Sequence, residues 1–537
     1  MGRNRESFWR GWLLAAALSL TCMAAAQQSA TAPPAVAAPK AQLAPPQAAG
    51  KITAEQAKQI FSLVDELIKF SSDESGLPIK SQVKRQITSR TEVEGFLKQR
   101  FDEDQSARRL QRDEIVLKKF GLLDRDFALK TFLLELLKEQ IEAYYDSKTK
   151  TVYMLDWVSI DEQKPVLAHE LTHALQDQHT DLEKWGDQTP EEVSANSSGD
   201  TDHLARDEMD TAREAVVEGQ ATAVMIDYAL KPKGMSLVKD PEIMDSVKEM
   251  MTGSEDSPMM ARAPLLLSES LLFPYREGLS FEQDVWMDQG QAAAFTGTLD
   301  RPPTSSWEIM NPREYEKRHT PAVPLLPNIH PLVDVLYKPY DIGQIGQLDV
   351  HILAGILGGD QAASDLTSAW DGGLYWAGQR LSAKTAAEQA KTDSIALFYL
   401  SAWKSATSAR DFARLYAEEL GRKYSGVQLN QSTQSASSAS VDGITQEQIY
   451  STSEGPVVIT TRGKLAFVAE SFPLDMARKL TALVLDAQGT GEMKMARLGA
   501  ADMDATTSQP LTGNLVHLLA DCGVMKAAVK AAVLAGR

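Results

Sequence analysis

Apolar positions recur at helical spacing through the first half of the chain. Ile60, Leu63, Val64 and Leu67 share one face of a helix that Thr53 caps, with Gln56 at the capping-box position. Amphipathic helices follow over 92–101 and 127–144. Residues 143–155 read as a hairpin, with the turn at 146–150 and a β-prone strand at 151–155. That strand, just before the next helix, is expected to be the edge of a small sheet on which an extended peptide lies. The next helix carries Val166, Leu167, Leu171, Ala174 and Leu175 on its apolar face, with Pro165 in its first turn. Residues 180–210 are acidic and polar and read as a loop near the cleft. A long helix spans 211–228, and 235–275 is Met-rich, mostly helical core filling.

Residues 301–315 are turn-rich. Pro321, Pro324, Pro327 and Pro331 then mark a domain boundary. Beyond it the pattern predicts a strand at 394–403, a helix at 409–423 and a Ser-rich linker at 431–440. A hairpin of 457–461 and 465–470 about Arg462-Gly463 follows, and then a helix through Leu485. Residues 488–512 carry little pattern, and 514–534 read as a last helix. The fold class is therefore α+β. A mainly helical domain with a small edge-strand sheet covers 51–325, a smaller α+β domain covers 326–487, and a tail occupies 488–537.

The first 50 residues differ in texture. Arg3, Arg5 and Arg10 precede an apolar run from Leu13 to Met23, and Ala24-Ala25-Ala26 offers a small-residue cleavage site. Residues 1–26 thus read as a signal peptide, and 27–50, rich in Ala, Pro and Gln, as a tether. The apolar run is short of the roughly 20 residues that span a bilayer. The mature chain is expected to be exported, periplasmic or secreted, without a membrane span. Only Cys22 and Cys522 are present, so cleavage leaves no intramolecular disulfide. A net charge of -18 argues against a nucleic-acid or anionic-membrane partner.

The chemistry concentrates at His169-Glu170-Leu171-Thr172-His173. The chain has only 8 His, so two of them four apart around a Glu is a specific signal. On a helix, positions i and i+4 share a face, so both imidazoles reach one ion, and Glu170 is placed to take a proton from a water there. The alternative is a surface helix with two solvated histidines, which the apolar pattern opposes.

A catalytic zinc needs a third protein donor. His179, His203, Asp207, Glu214 and Glu218 lie downstream. Glu218 sits in the apolar run Ala215–Met225, where an ionised carboxylate is costly unless paired or metal-bound. Glu218 is the first choice and Glu214 the second. Gly219 and Ala221 are expected to let this helix approach the histidine helix closely. Asp177, four residues after His173, can accept the free N–H of that imidazole, or bond elsewhere. Tyr315, His319 and His203 are candidate oxyanion donors.

With these residues the chain resembles the gluzincin branch of the zincin metallopeptidases. The resemblance rests on His169-Glu170-x-x-His173 and on Glu218-Gly-Gln-Ala-Thr222, which is similar to the family's E-x-x-A-D. The strings HELTHALQDQH, EAVVEGQATAVM and PPTSSWEIMNPREY also look like a group of exported bacterial and archaeal H-E-x-x-H proteins. The resemblance implies a zincin-like catalytic domain, zinc bound by His169, His173 and Glu218, Glu170 as general base, and a peptide or protein substrate. Thr222 departs from the family, which has an Asp there supporting a ligand histidine; Asp177 is the substitute the sequence offers. Two rival functions use the same residues: a non-catalytic zinc-binding cell-envelope protein, and a metal-dependent hydrolase of a non-peptide amide. Retention of Glu170 between the histidines favours an enzyme.

Overall fold

The computed structural model describes residues 53–102, 104–186, 193–252, 257–321, 323–436, 444–488, 515–516 and 526–535. The expected signal peptide (1–26) and tether (27–50), and most of the tail, lie outside these residues. Among the described residues, no helix is long and apolar enough to cross a membrane.

The architecture is mixed α+β. Its helical part opens with α1 (Ala54–Ser75), strand β1 (Lys84–Thr88), α2 (Arg90–Asp102), α3 (Asp104–Phe120) and α4 (Leu129–Gln140). The hairpin follows as β2 (Ala143–Asp146) and β3 (Thr151–Leu155). The helix expected to run to 144 stops at Gln140, because the next residues pair as β2. The small sheet has the order β1-β3-β2. Strand β3 is therefore central, parallel to β1 and antiparallel to β2, and is not the edge expected from the sequence. Strand β2 carries the hairpin's outer edge.

Helix α5 (Ile160–Thr180) contains the two-histidine motif. Ser159 and Glu162 form a reciprocal capping box that starts it five residues before Pro165. Pro165 is thus inside the helix rather than in its first turn. Every residue from Pro165 to Asp177 is buried, so α5 is a core helix, packed against α1 and the hairpin. The stretch expected to be a loop holds α6 (Leu182–Gly186) and α7 (Ser197–Leu204).

Helix α8 (Met209–Leu230) is buried along nearly its whole length, and α9 (Ile243–Thr252) and α10 (Leu265–Gln289) follow. The α8–α10 crossing is close. A Cβ on Gly219 would fall on the Gly278 carbonyl, and one on Gly278 would fall on the Ala215 carbonyl. Gly219 thus faces α10, while α8 also packs against α5, as the sequence suggested, with Ala221 beside His169.

The C-terminal half forms one antiparallel sheet in the order β4-β5-β6-β10-β9-β8-β7. The strands are β4 (Tyr337–Gln344), β5 (Trp370–Arg380), β6 (Ile395–Trp403), β7 (Gln428–Ala436), β8 (Ile444–Thr452), β9 (Gly455–Arg462) and β10 (Leu465–Glu470). Alternating side chains of the central strands bury both faces. Trp376, Phe398 and Phe467 pack under the helix Leu474–Ala487, while Tyr399 and Trp403 meet Phe412 of the helix Ala406–Glu418 on the other face. The Ser-rich stretch expected to be a linker is in part strand β7, at the sheet edge.

Two buried acids just before α8 tie its start to this sheet and to the short helix Ser306–Met310. Asp207 accepts the Gln344 amide, and Glu208 accepts both the amide (2.8 Å) and the hydroxyl of Ser306. Burial, then the charge of Asp349, pushes Glu208 up to about 8. Between pH 4.5 and 8 the folded chain keeps a proton that the unfolded chain gives up, so this group's stabilisation is lost as pH rises. Glu208→Gln keeps an acceptor for Ser306 and removes the titration. Relative to wild type it is expected to gain on the order of a few kcal/mol on going from pH 5 to pH 8, read from urea midpoints at the two pH values. A wild-type-like pH slope in the variant would contradict this.

Candidate metal centre

Two helices build the site. The i, i+4 spacing on α5 puts both imidazoles on the face turned to α8, and α8 presents Glu218. His169 Nε2 lies 2.9 Å from His173 Nε2 and 3.1 Å from Glu218 Oε2, and His173 Nε2 lies 3.5 Å from Glu218 Oε1. Among the described residues these three are the group whose donor atoms could hold a metal ion. His169, Glu170 and Glu218 are at most 2% exposed and His173 is 7% exposed, so this conformation is closed to a substrate. Glu214 is only partly buried and stands outside the trio.

The electrostatics show what the trio requires. Burial and the neighbouring His173 lower His169 to about 4, against the pull of Glu218. On His173, burial is outweighed by the Glu218 carboxylate and by Glu170, and the imidazole rises to about 9. On Glu218, burial is outweighed by the two imidazoles, and it falls to about 2. Two nitrogens and a carboxylate thus converge on one point where positive charge is favoured. A nitrogen–nitrogen–carboxylate set of this kind fits a divalent ion of borderline softness.

Three side chains that the sequence did not single out complete the site. Gln176 Oε1 lies 2.9 Å from His173 Nδ1. Gln176 Nε2 donates to the Val217 carbonyl (3.0 Å) and to Gln220 Oε1 (2.9 Å). Tyr275 of α10 lies along His169, with ring centroids 6.2 Å apart and planes at 22°, and its hydroxyl bonds to Glu218. Burial, then the charges of Glu218, Glu170 and Glu214, raises the Tyr275 phenol well above its usual range, so it stays a neutral donor. For Gln176 and Gln220 the available signal was the one that found Glu218, a polar side chain within a buried helical run; Tyr275 carried no such signal.

Other sequence candidates are engaged elsewhere. Asp177 accepts from Tyr145 (2.7 Å) and Lys150 (2.8 Å), which pins the hairpin to α5 and leaves His173 to Gln176. Tyr315 donates to the Arg301 carbonyl at 2.8 Å, His319 pairs with Glu314 at 2.6 Å on the surface, and His203 is buried beside Arg112. Thr222 is fully buried, and its hydroxyl has no hydrogen-bond partner among the described residues. Compared with protein families, with characterised proteins and with solved structures, the chain matches none.

Proposed function

We propose that the chain is an exported zinc-dependent metallopeptidase of gluzincin type. The observation that carries this reading is the convergence of His169, His173 and Glu218, with Glu170 on the same buried helix between the histidines. Zinc bound there supplies Lewis-acid polarisation of the peptide carbonyl and of the attacking water. The rest falls to the chain's own side chains. Glu170 takes the proton of the water and delivers it to the leaving amine. Tyr275, protonated and hydrogen-bonded to Glu218, is a candidate donor for the developing oxyanion. The outer edge of β2, pinned to α5 through Tyr145 and Asp177, is the candidate rail for an extended peptide.

The test begins with the metal. Purified protein is expected to take up one equivalent of zinc by elemental analysis and to cleave an unstructured polypeptide. A chelator should stop the cleavage and added zinc should restore it. His173→Ala should lose both metal and activity. Wild-type protein holding less than about a tenth of an equivalent after zinc loading removes the reading.

One observation favours a second reading. The trio and Glu170 are sealed from solvent, as in a metal site that holds a fold together and does no chemistry. Zinc uptake without cleavage of any polypeptide or cell-wall amide would select it.

A further inference from the structure

An imidazole that binds an ion through Nε2 must carry its proton on Nδ1. The partner of Nδ1 therefore decides whether a histidine stands ready as a ligand. At His173 that partner is the amide oxygen of Gln176, 2.9 Å away. Either end of an amide can face an imidazole, and here the surroundings leave one choice. The other end of Gln176 faces two acceptors, the Val217 carbonyl at 3.0 Å and Gln220 Oε1 at 2.9 Å, so it must be the NH2.

The same logic continues one residue further. Gln220 turns its oxygen to Gln176 because its NH2 faces the carbonyls of Ala294 and Phe295, each at 3.0 Å, and Thr298 Oγ1 at 2.8 Å. Thr298 gives its own hydroxyl proton to the Ala294 carbonyl, so toward Gln220 it accepts. Ala294 and Phe295 belong to a π-helical turn, Ala293–Gly297, an element that recurs at functional sites. Gln176, Gln220 and Thr298 are all 0% exposed, so no water competes for these bonds. Reversing either amide would set oxygen against oxygen in a dry interior, at a cost of about 1–3 kcal/mol for each unmet group.

We propose that Gln176 and Gln220 form a neutral positioning relay, anchored on the π-helical turn 293–297, that locks the His173 proton on Nδ1 and aims its Nε2 at His169 and Glu218. The relay replaces the acidic support that the gluzincin resemblance places at position 222, where this chain has a threonine. The inference rests on the metal reading only for the identity of the ion, since the hydrogen bonds are a property of the chain.

Three variants test it, each checked for fold by circular dichroism. Gln176→Leu removes the acceptor and should weaken zinc binding about 10- to 100-fold. Gln176→Glu restores an acceptor to the Nδ1 proton but sets its second oxygen against the Val217 carbonyl and Gln220 Oε1, so it should recover only part of the zinc affinity that Gln176→Leu loses. Gln220→Met reaches His173 through Gln176 and should weaken binding by a smaller factor. Nitrogen-15 NMR of the imidazoles is the second readout and needs no metal. The His173 Nδ1–H signal should persist in metal-free wild type and in Gln176→Glu, and be lost to exchange in Gln176→Leu. A wild-type-like signal and affinity in Gln176→Leu would overturn the relay while leaving the metal site standing. A wild type with the NMR signal but no affinity for zinc would sink the metal reading and leave the relay intact.

Discussion

Zinc-loaded Glu170→Gln protein is expected to hold one equivalent of metal, as wild type does, and to cleave an unstructured polypeptide about 100- to 10,000-fold more slowly. The two halves of this expectation have separate causes. Glu170 is fully buried on α5 beside the trio but is not one of the three converging donors. An amide keeps its volume and much of its hydrogen bonding, so the trio stays in place. What the amide cannot do is take a proton from water and pass it to the leaving amine. The loss should fall on kcat and kcat/KM together, because the step is made only in the transition state. Equal rates for variant and wild type would exclude Glu170 as the base. A variant that has lost its metal would instead make Glu170 a structural support of the trio.

The reach of the sequence can be seen residue by residue. His169, His173 and Glu218 were legible because two local rules act on them. Helical spacing puts the histidines on one face, and an apolar helix makes a buried carboxylate conspicuous. Gln176 and Gln220 obey the same rules but are uncharged, and their role depends on the π-helical turn at 293–297, more than 70 residues downstream of Gln220. Tyr275 was hidden for the same reason: only the α8–α10 crossing brings it to His169.

The sheet divides in the same way. Strands β6, β9 and β10 announce themselves by β-branched and aromatic runs. Strand β5 carries Gly372, Gly373 and Gly378, and β7 is mostly Gln, Ser, Asn and Thr, so neither has a typical strand composition. They are strands because their neighbours pair with them. Strand β4 contains Pro339, which an edge position with a register shift at 339/341 tolerates.

Gly278→Ala is expected to cost at least about 3 kcal/mol of stability, at the upper end of overpacking, and to weaken zinc binding by more than about tenfold. The new methyl would meet the Ala215 carbonyl of α8, and the Gly278 carbonyl in turn lies where a Cβ of Gly219 would go, with Leu279 N at 2.9 Å from that point. All of these obstacles are backbone, which cannot swing aside as a side chain does. The helices must therefore part, and the residues beside the crossing move with them. Glu218 precedes Gly219, and Tyr275 lies three residues before Gly278 on the same helix. Separation thus draws the carboxylate ligand and its phenol partner away from the histidines. The same chemical change at Gly95 of α2, where an added Cβ meets nothing within 4 Å, should be neutral or stabilising by about 0.5–1 kcal/mol. Urea midpoints for the two variants, with zinc affinity measured beside them, decide the matter. If Gly278→Ala unfolds and binds zinc like Gly95→Ala, the α8–α10 crossing is not what holds Glu218 against the histidines.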